Sequence, residues 1–172
     1  MRKFFVLAAL MLLVTTAAMA QDHPKAEIFG GYSYLRVNPG SGINGINLNG
    51  WNASLAGNLN SWLGVEGDFS GHYGNPTISG VKVNTKVHSY TFGPRLSYRK
   101  SDRITPFAHA LFGGVNVRGS AFGAGISENG FAMALGGGVD AKIKDKLAFR
   151  VFQADYVMTR IQSNTQHNAR IS

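Results

Sequence analysis

Between residues 49 and 99 the chain alternates apolar and polar side chains with period two, the signature of strands that have two different faces. In 49–60, Trp51, Ala53, Leu55, Gly57 and Leu59 fall on one face, with Asn52, Ser54, Ala56, Asn58 and Asn60 on the other. In 62–73, Leu63, Val65, Gly67, Phe69 and Tyr73 oppose Glu66, Asp68, Ser70 and His72. In 86–99, Tyr90, Phe92, Pro94, Leu96 and Tyr98 oppose Ser89, Thr91, Gly93, Arg95 and Ser97. The pattern returns in 130–143, where Phe131, Met133, Leu135, Val139 and Ile143 face away from Ala132, Ala134, Gly136, Gly138, Asp140 and Lys142. Three further strands are less regular. In 26–37, Ile28, Tyr32 and Tyr34 oppose Glu27 and Ser33. In 105–118, Ala108, Ala110 and Phe112 form the apolar face, with His109 on the polar one. In 146–158, Arg150 and Asp155 are out of phase, which calls for a bulge or an interfacial Asp155. His167-Asn-Ala-Arg-Ile-Ser172 reads as the start of an eighth strand.

The connections alternate as strictly as the side chains. Long Gly/Asn/Ser-rich segments at 38–48, 74–85, 119–129 and 159–167 are separated by short turns at Asn60-Ser61, Lys100-Ser-Asp102 and Lys144-Asp145. An up-and-down antiparallel sheet with one elaborated and one tight end gives this order, as transmembrane β-barrels do. A soluble barrel would carry many Lys and Glu on its wet outer face. Here the polar faces are mostly Ser, Thr, Asn and Gly, with single charges such as Glu66, Asp68 and Arg95. That composition suits a narrow, filled interior, in which Gly57, Gly64, Gly93, Gly136 and Gly138 make room. Aromatics near the strand ends (Trp51, Trp62, Tyr73, Tyr98, Phe131, Tyr156) fit interfacial girdles. The expected fold is therefore all-β, an eight-stranded antiparallel up-and-down transmembrane β-barrel.

The N-terminus adds a destination. Arg2 and Lys3 precede an apolar run from Phe4 to Val14, and Ala18-Met-Ala20 offers a small-x-small cleavage site. Residues 1–20 are expected to be a signal peptide and 21–172 one barrel domain. With no cysteine, neither a lipid-anchored N-terminus nor a disulfide is expected. The net charge of +8, which falls to +6 once Arg2 and Lys3 leave, suits anionic lipid or lipopolysaccharide phosphates. Nucleic acid is not an expected partner of an exported chain without a dense basic block.

Four segments resemble the small outer-membrane β-barrel proteins related to the OmpA transmembrane domain and to OmpX. They are Glu27-Ile-Phe-Gly-Gly-Tyr-Ser-Tyr34, Tyr90-Thr-Phe-Gly-Pro-Arg-Leu-Ser-Tyr98, Leu135-Gly-Gly-Gly-Val-Asp-Ala-Lys142 and Phe149-Arg-Val-Phe-Gln-Ala-Asp-Tyr156. The resemblance covers essentially the whole mature chain. It implies a monomer in outer-membrane lipid and lipopolysaccharide, delivered by periplasmic chaperones and the barrel-assembly machinery, without cofactor. Such proteins end in a complete last strand with a final aromatic residue, whereas this chain stops at Ile171-Ser172. The last strand is thus expected to be truncated, short by some ~5–8 residues of the roughly ten that a span needs. A ring short of half a strand leaves backbone groups unpaired in lipid, so inefficient assembly is expected.

Candidate chemistry centres on Glu66, Asp68, Ser70 and His72. A Ser/His pair two residues apart is similar to the lipid A deacylase barrels, but their order is His-x-Ser and here Ser70 comes first. Same-face neighbours ~7 Å apart do not ensure a nucleophile–base hydrogen bond. The preferred reading is a structural network in the lumen, made by Glu66, Asp68, Ser70, His72, Arg95, Asp140 and Arg150, with Arg95 and Arg150 pairing Glu66 and Asp68. His72, His88, His109 and His167 have no i,i+2 or i,i+4 partner, so no metal site is expected. Gly113-Gly114 and Gly136-Gly-Gly138 match no phosphate-binding spacing. A non-enzymatic envelope or surface-interaction protein is the expected function. A lipid A enzyme and a small passive channel are the alternatives.

Overall fold

The computed structural model describes residues 23–38, 45–78, 80–122, 124–144, 146–162 and 164–172. The expected signal peptide lies outside them. The strands in chain order are β1 (Ala26–Val37), β2 (Ile46–Asn58), β3 (Leu63–Gly74), β4 (Thr77–Ile78), β5 (Val81–Lys82), β6 (Asn84–Ser97), β7 (Ile104–Ala121), β8 (Ala124–Lys144), β9 (Leu147–Ile161) and β10 (Asn164–Ile171). Eight of them close into an antiparallel barrel in which β1, β2, β3, β6, β7, β8, β9 and β10 pair in succession, and β4 and β5 form a small hairpin of their own. The up-and-down barrel read from the alternation is the observed fold.

Side-chain phase follows the sequence pattern strand by strand. On β3, Val65, Phe69 and Tyr73 are exposed while Glu66, Asp68, Ser70 and His72 are buried. The outward apolar band from Leu63 to Tyr73 spans ten steps of roughly 3.3 Å, which at a tilt of ~40° gives about the 25 Å of an outer-membrane hydrocarbon band. Trp62 and Tyr98 lie at its lower edge, by the short turns. Tyr32, Trp51, Tyr73, Tyr90 and Tyr156 lie at its upper edge, and all seven are solvent-accessible. On β9 the phase conflict is resolved by a bulge. Asp140 pairs with Arg150 but Val139 pairs with Phe152, so Val151 is the extra residue. Val151 and Phe152 both face outward, and Arg150 and Asp155 both face the lumen.

Four expectations are corrected. The described residues of 119–129 and 159–167 are mostly paired strand rather than open loop. The β7–β8 ladder runs without a break from Ile104↔Ala141 to Ala121↔Ala124, and the β9–β10 ladder reaches Ile161↔Asn164. Their polar composition reflects a wet outer face above the membrane rather than a lack of pairing. In 74–85, β4 and β5 form their hairpin and β6 begins at Asn84. Gly57 does not make room in the lumen; it faces outward, and a Cβ there would meet nothing within 4 Å.

The fourth correction concerns the lumen itself, which has two storeys. The lower is polar, as expected. The upper is a cluster of Leu35, Leu48, Val87, Val115 and Ala132, with Val37, Ile46, Val117 and Ile161 packed against it. The ring closes where β10 meets β1 through Tyr34↔Ile171, Leu35↔Arg170 and Arg36↔Ala169. Ser172 continues the pairing with β9 by exchanging backbone hydrogen bonds with Gln153 at 2.8 and 3.0 Å.

Candidate functional site

The lower lumen holds a continuous network of charged side chains. Arg95, 1% exposed, lies 3.3 Å from Glu27, 3.9 Å from Glu66 and 3.1 Å from Asp140. Its guanidinium stacks 4.0 Å from the Phe107 ring centroid. Arg150 grips Asp140 from the other side, Nε to Oδ1 at 2.7 Å and Nη2 to Oδ2 at 3.1 Å, and sits 3.8 Å over Phe29. Arg99 closes the bottom by pairing with Glu27.

A second row crosses five neighbouring strands. His109 on β7 lies 3.0 Å from Glu66 through Nδ1 and 2.9 Å from Asp155 through Nε2. Each contact passes over a residue without a side chain. Glu66 pairs with Gly93 on β6, and Gly136 on β8 stands between its register partners His109 and Asp155. A Cβ on Gly136 would lie 2.2 Å from Asp155 Oδ1, so only glycine leaves this carboxylate in place. Two acceptors on the two ring nitrogens are both satisfied only when both nitrogens carry hydrogen.

Arg170 on β10 completes the ring. It donates to Asp155 at 2.8 Å and, across the lumen, to Asp68 at 2.7 Å. Asn52 holds the other oxygen of Asp68 at 2.7 Å, and Gln153 bridges Arg150 (2.6 Å) and Asp155 (2.7 Å). Five carboxylates (Glu27, Glu66, Asp68, Asp140, Asp155) are thus met by four arginines and His109. Buried charge at this density is tolerated only with such pairing.

The sequence pairs Arg95 and Arg150 with Glu66 and Asp68; in the structure Arg95 lies 3.9 Å from Glu66, and both arginines pair with Asp140. Asp68 belongs instead to Arg170, because β10 closes beside β1 and brings its side chain across the lumen. Ser70 and His72 are both buried but do not work as a pair. Ser70 Oγ bonds Ser89 Oγ at 2.7 Å, while His72 Nε2 bonds Ser33 Oγ at 2.9 Å. Glu27, His109, Asp155 and Arg170 were missed as network members. The inward phase of His109 and the bulge that turns Asp155 inward carried the signal for two of them. Among the described residues, no group of three or more His, Cys, Asp or Glu is placed to hold a metal.

Above this network the apolar storey opens into a cup of about 270 Å³, with His72, Thr91 and Arg170 among its lining residues. The outer wall around it is wet: Lys86, Arg118 and Arg160 are exposed, and Lys86 pairs with Arg118 across β6 and β7.

Solved structures with the same fold include Ail, the attachment invasion locus protein of Yersinia pestis, at 21% identity and a TM-score of 0.60, covering 85% of this chain and 93% of that one. A second structure of Ail, in complex with the heparin analogue sucrose octasulfate, matches at 20% identity and 0.59, over 85% and 94%. Neisserial surface protein A matches at 11% identity and 0.61, over 86% and 97%. No curated protein matches the chain in sequence. The model of the outer membrane protein beta-barrel domain matches residues 5–171. The chain closes into an eight-stranded barrel, the family model spans nearly all of it, and this protein belongs to the outer-membrane β-barrel domain family.

Proposed function

We propose that this protein is a non-enzymatic component of the outer membrane that works through its outward rim, by contacts with anionic glycans: lipopolysaccharide phosphates in its own leaflet and sulfated or phosphorylated sugars beyond it. The observation that carries this reading is the division of the barrel. Its lower lumen is filled by charged side chains paired with one another, while β7 and β8 run on past the apolar band. From Asn116 to Ala121 and back from Ala124 to Gly130, they project a ladder of roughly 13–15 Å above the lipid at the same tilt. Strands of 18 and 21 residues exceed the roughly ten that a membrane needs, and the surplus is built surface. Lys86, Arg118, Arg160 and Arg36 stand exposed on the outer wall at this level. The sulfated ligand held by Ail supports a polyanion as the kind of partner.

The test is retention of the purified protein, in lipid nanodiscs, on heparin-coated against dextran-coated surfaces. Binding to heparin should fall steeply with salt and drop about tenfold or more in a Lys86→Ser/Arg118→Ser variant. Retention that ignores both salt and the variant overturns the proposal. The lipid A enzyme is the weaker reading because Ser70 and His72 have separate partners. Identical lipid A profiles from cells expressing the wild type and Ser70→Ala would dispose of it.

A further inference from the structure

The period-two pattern inverts its polarity at the upper girdle. Within the membrane, apolar residues face out and polar residues face in. Above it, Lys86, His88, Asn116 and Arg118 face out, while Val87, Val115 and Val117 face in. The upper barrel is therefore organised as a soluble barrel is, with a wet wall around an apolar interior. Eight strands leave an interior that can hold one small ligand.

The cup measures about 270 Å³, nearly twice the 150 Å³ or so of an engineered cavity that takes up benzene. Its collar is Leu35, Leu48, Val87, Val115 and Ala132, each less than a tenth exposed. Its floor is polar and incompletely satisfied. His72 is 1% exposed and Thr91 3% exposed; both line the cup, and neither His72 Nδ1 nor Thr91 Oγ1 has a hydrogen-bond partner. Buried polar atoms are rarely left so, and two at the base of one apolar cup require an explanation. The neighbouring charge, Arg170, is already engaged by Asp68 and Asp155.

We infer that the cup binds a small uncharged amphiphile, an aliphatic or aromatic body of roughly eight to ten carbons carrying one hydroxyl or carbonyl group, taken up from the outer side. The body fills the collar and the head meets His72 and Thr91. A charged head is disfavoured, because it would add an uncompensated charge to a floor whose ions are already paired. This site goes beyond the rim contacts proposed above and does not depend on them, since it lies inside the barrel.

The probe is 1-octanol, with octane and octanoate for comparison, titrated into the protein in lipid nanodiscs with methyl-labelled Leu and Val. Octanol should shift the Leu48, Val87 and Val115 methyl signals saturably while the outward Leu55 and Val65 signals move only in proportion to octanol in the lipid. Its affinity should exceed that of octane about fivefold, the worth of one hydrogen bond. Thr91→Val should reduce that preference below about twofold. Val115→Phe fills the collar and should abolish the saturable shift; Ala132→Leu does the same should the first variant fail to fold. Inward and outward methyls that shift alike, no saturation in the wild type, or octanoate binding tightest would each overturn the inference. Heparin retention measured on the same samples separates failure here from failure of the rim reading.

Discussion

At the scale of single residues, the lumen depends on where side chains are missing as much as on where they are charged. Gly136 is the clearest case, because His109 and Asp155 meet across it. Gly136→Ala would set a Cβ 2.2 Å from Asp155 Oδ1 and 2.3 Å from the Ala154 carbonyl oxygen. The carboxylate must then leave His109, and urea titration in lipid vesicles should show a loss of roughly 2–4 kcal/mol. Gly57→Ala serves as the contrast: its new methyl meets nothing within 4 Å, and its stability should stay within about 0.5 kcal/mol of wild type. His109 can be tested by its partners. His109→Gln removes the cation that bridges two buried carboxylates and should cost about 3–5 kcal/mol. Adding Asp155→Asn removes one of the two charges that His109 bridges, so a double-mutant cycle should return a coupling of at least about 1 kcal/mol. A near-zero coupling would mean that the 2.9 Å contact does not contribute to folding.

At the scale of elements, the strands in the membrane were legible because lipid imposes one rule on all of them: apolar out, polar in. That rule located 49–60, 62–73 and 86–99 to within three residues at each end, and it flagged the β9 conflict that the Val151 bulge resolves. It failed where the solvent changes. Above the girdle both faces of β7 and β8 meet different partners, so Asn, Ser and Gly read as loop although they pair in register up to Ala121↔Ala124. The apolar cup escaped notice for the same reason: Val87 and Val115 sit in phase with Thr91 and His109, on a face read as polar. Arg170 was legible only as part of a strand start, because its partner Asp68 lies 102 residues away and the pairing exists only once the ring closes. The hairpin tips add a prediction at this scale. Gln162 at the β9–β10 tip has φ of 54°, in the left-handed region that costs most side chains about 1–2 kcal/mol. Gln162→Asn should therefore raise the unfolding free energy slightly in urea titration, by about 0.5–1 kcal/mol, whereas the same change at an extended position such as Gln166 should not.

At the scale of the whole molecule, the two storeys decide what can pass through the barrel. The upper cup opens outward, but beneath it Arg95, Arg150, Arg170 and His109 span the lumen with their five carboxylates, Phe107 packs against the guanidiniums of Arg95 and Arg150, and Phe29 packs against that of Arg150. Water and ions moving downward would have to break paired contacts of 2.6–3.9 Å. Planar bilayers containing the wild-type protein should therefore show no discrete conductance steps above those of the lipid. Arg95 is the keystone of this arrangement, since it touches Glu27, Glu66, Asp140 and the face of Phe107 at once. Arg95→Ala with Phe107→Ala removes the largest fully buried side chain and its stacking partner, leaving facing carboxylates that draw in water and cations. That variant should conduct in steps and favour cations, provided its heat-dependent electrophoretic shift shows a folded barrel. Steps of equal size in the wild type would mean that the network opens under a membrane potential, and the molecule would then be a channel with an ionic gate.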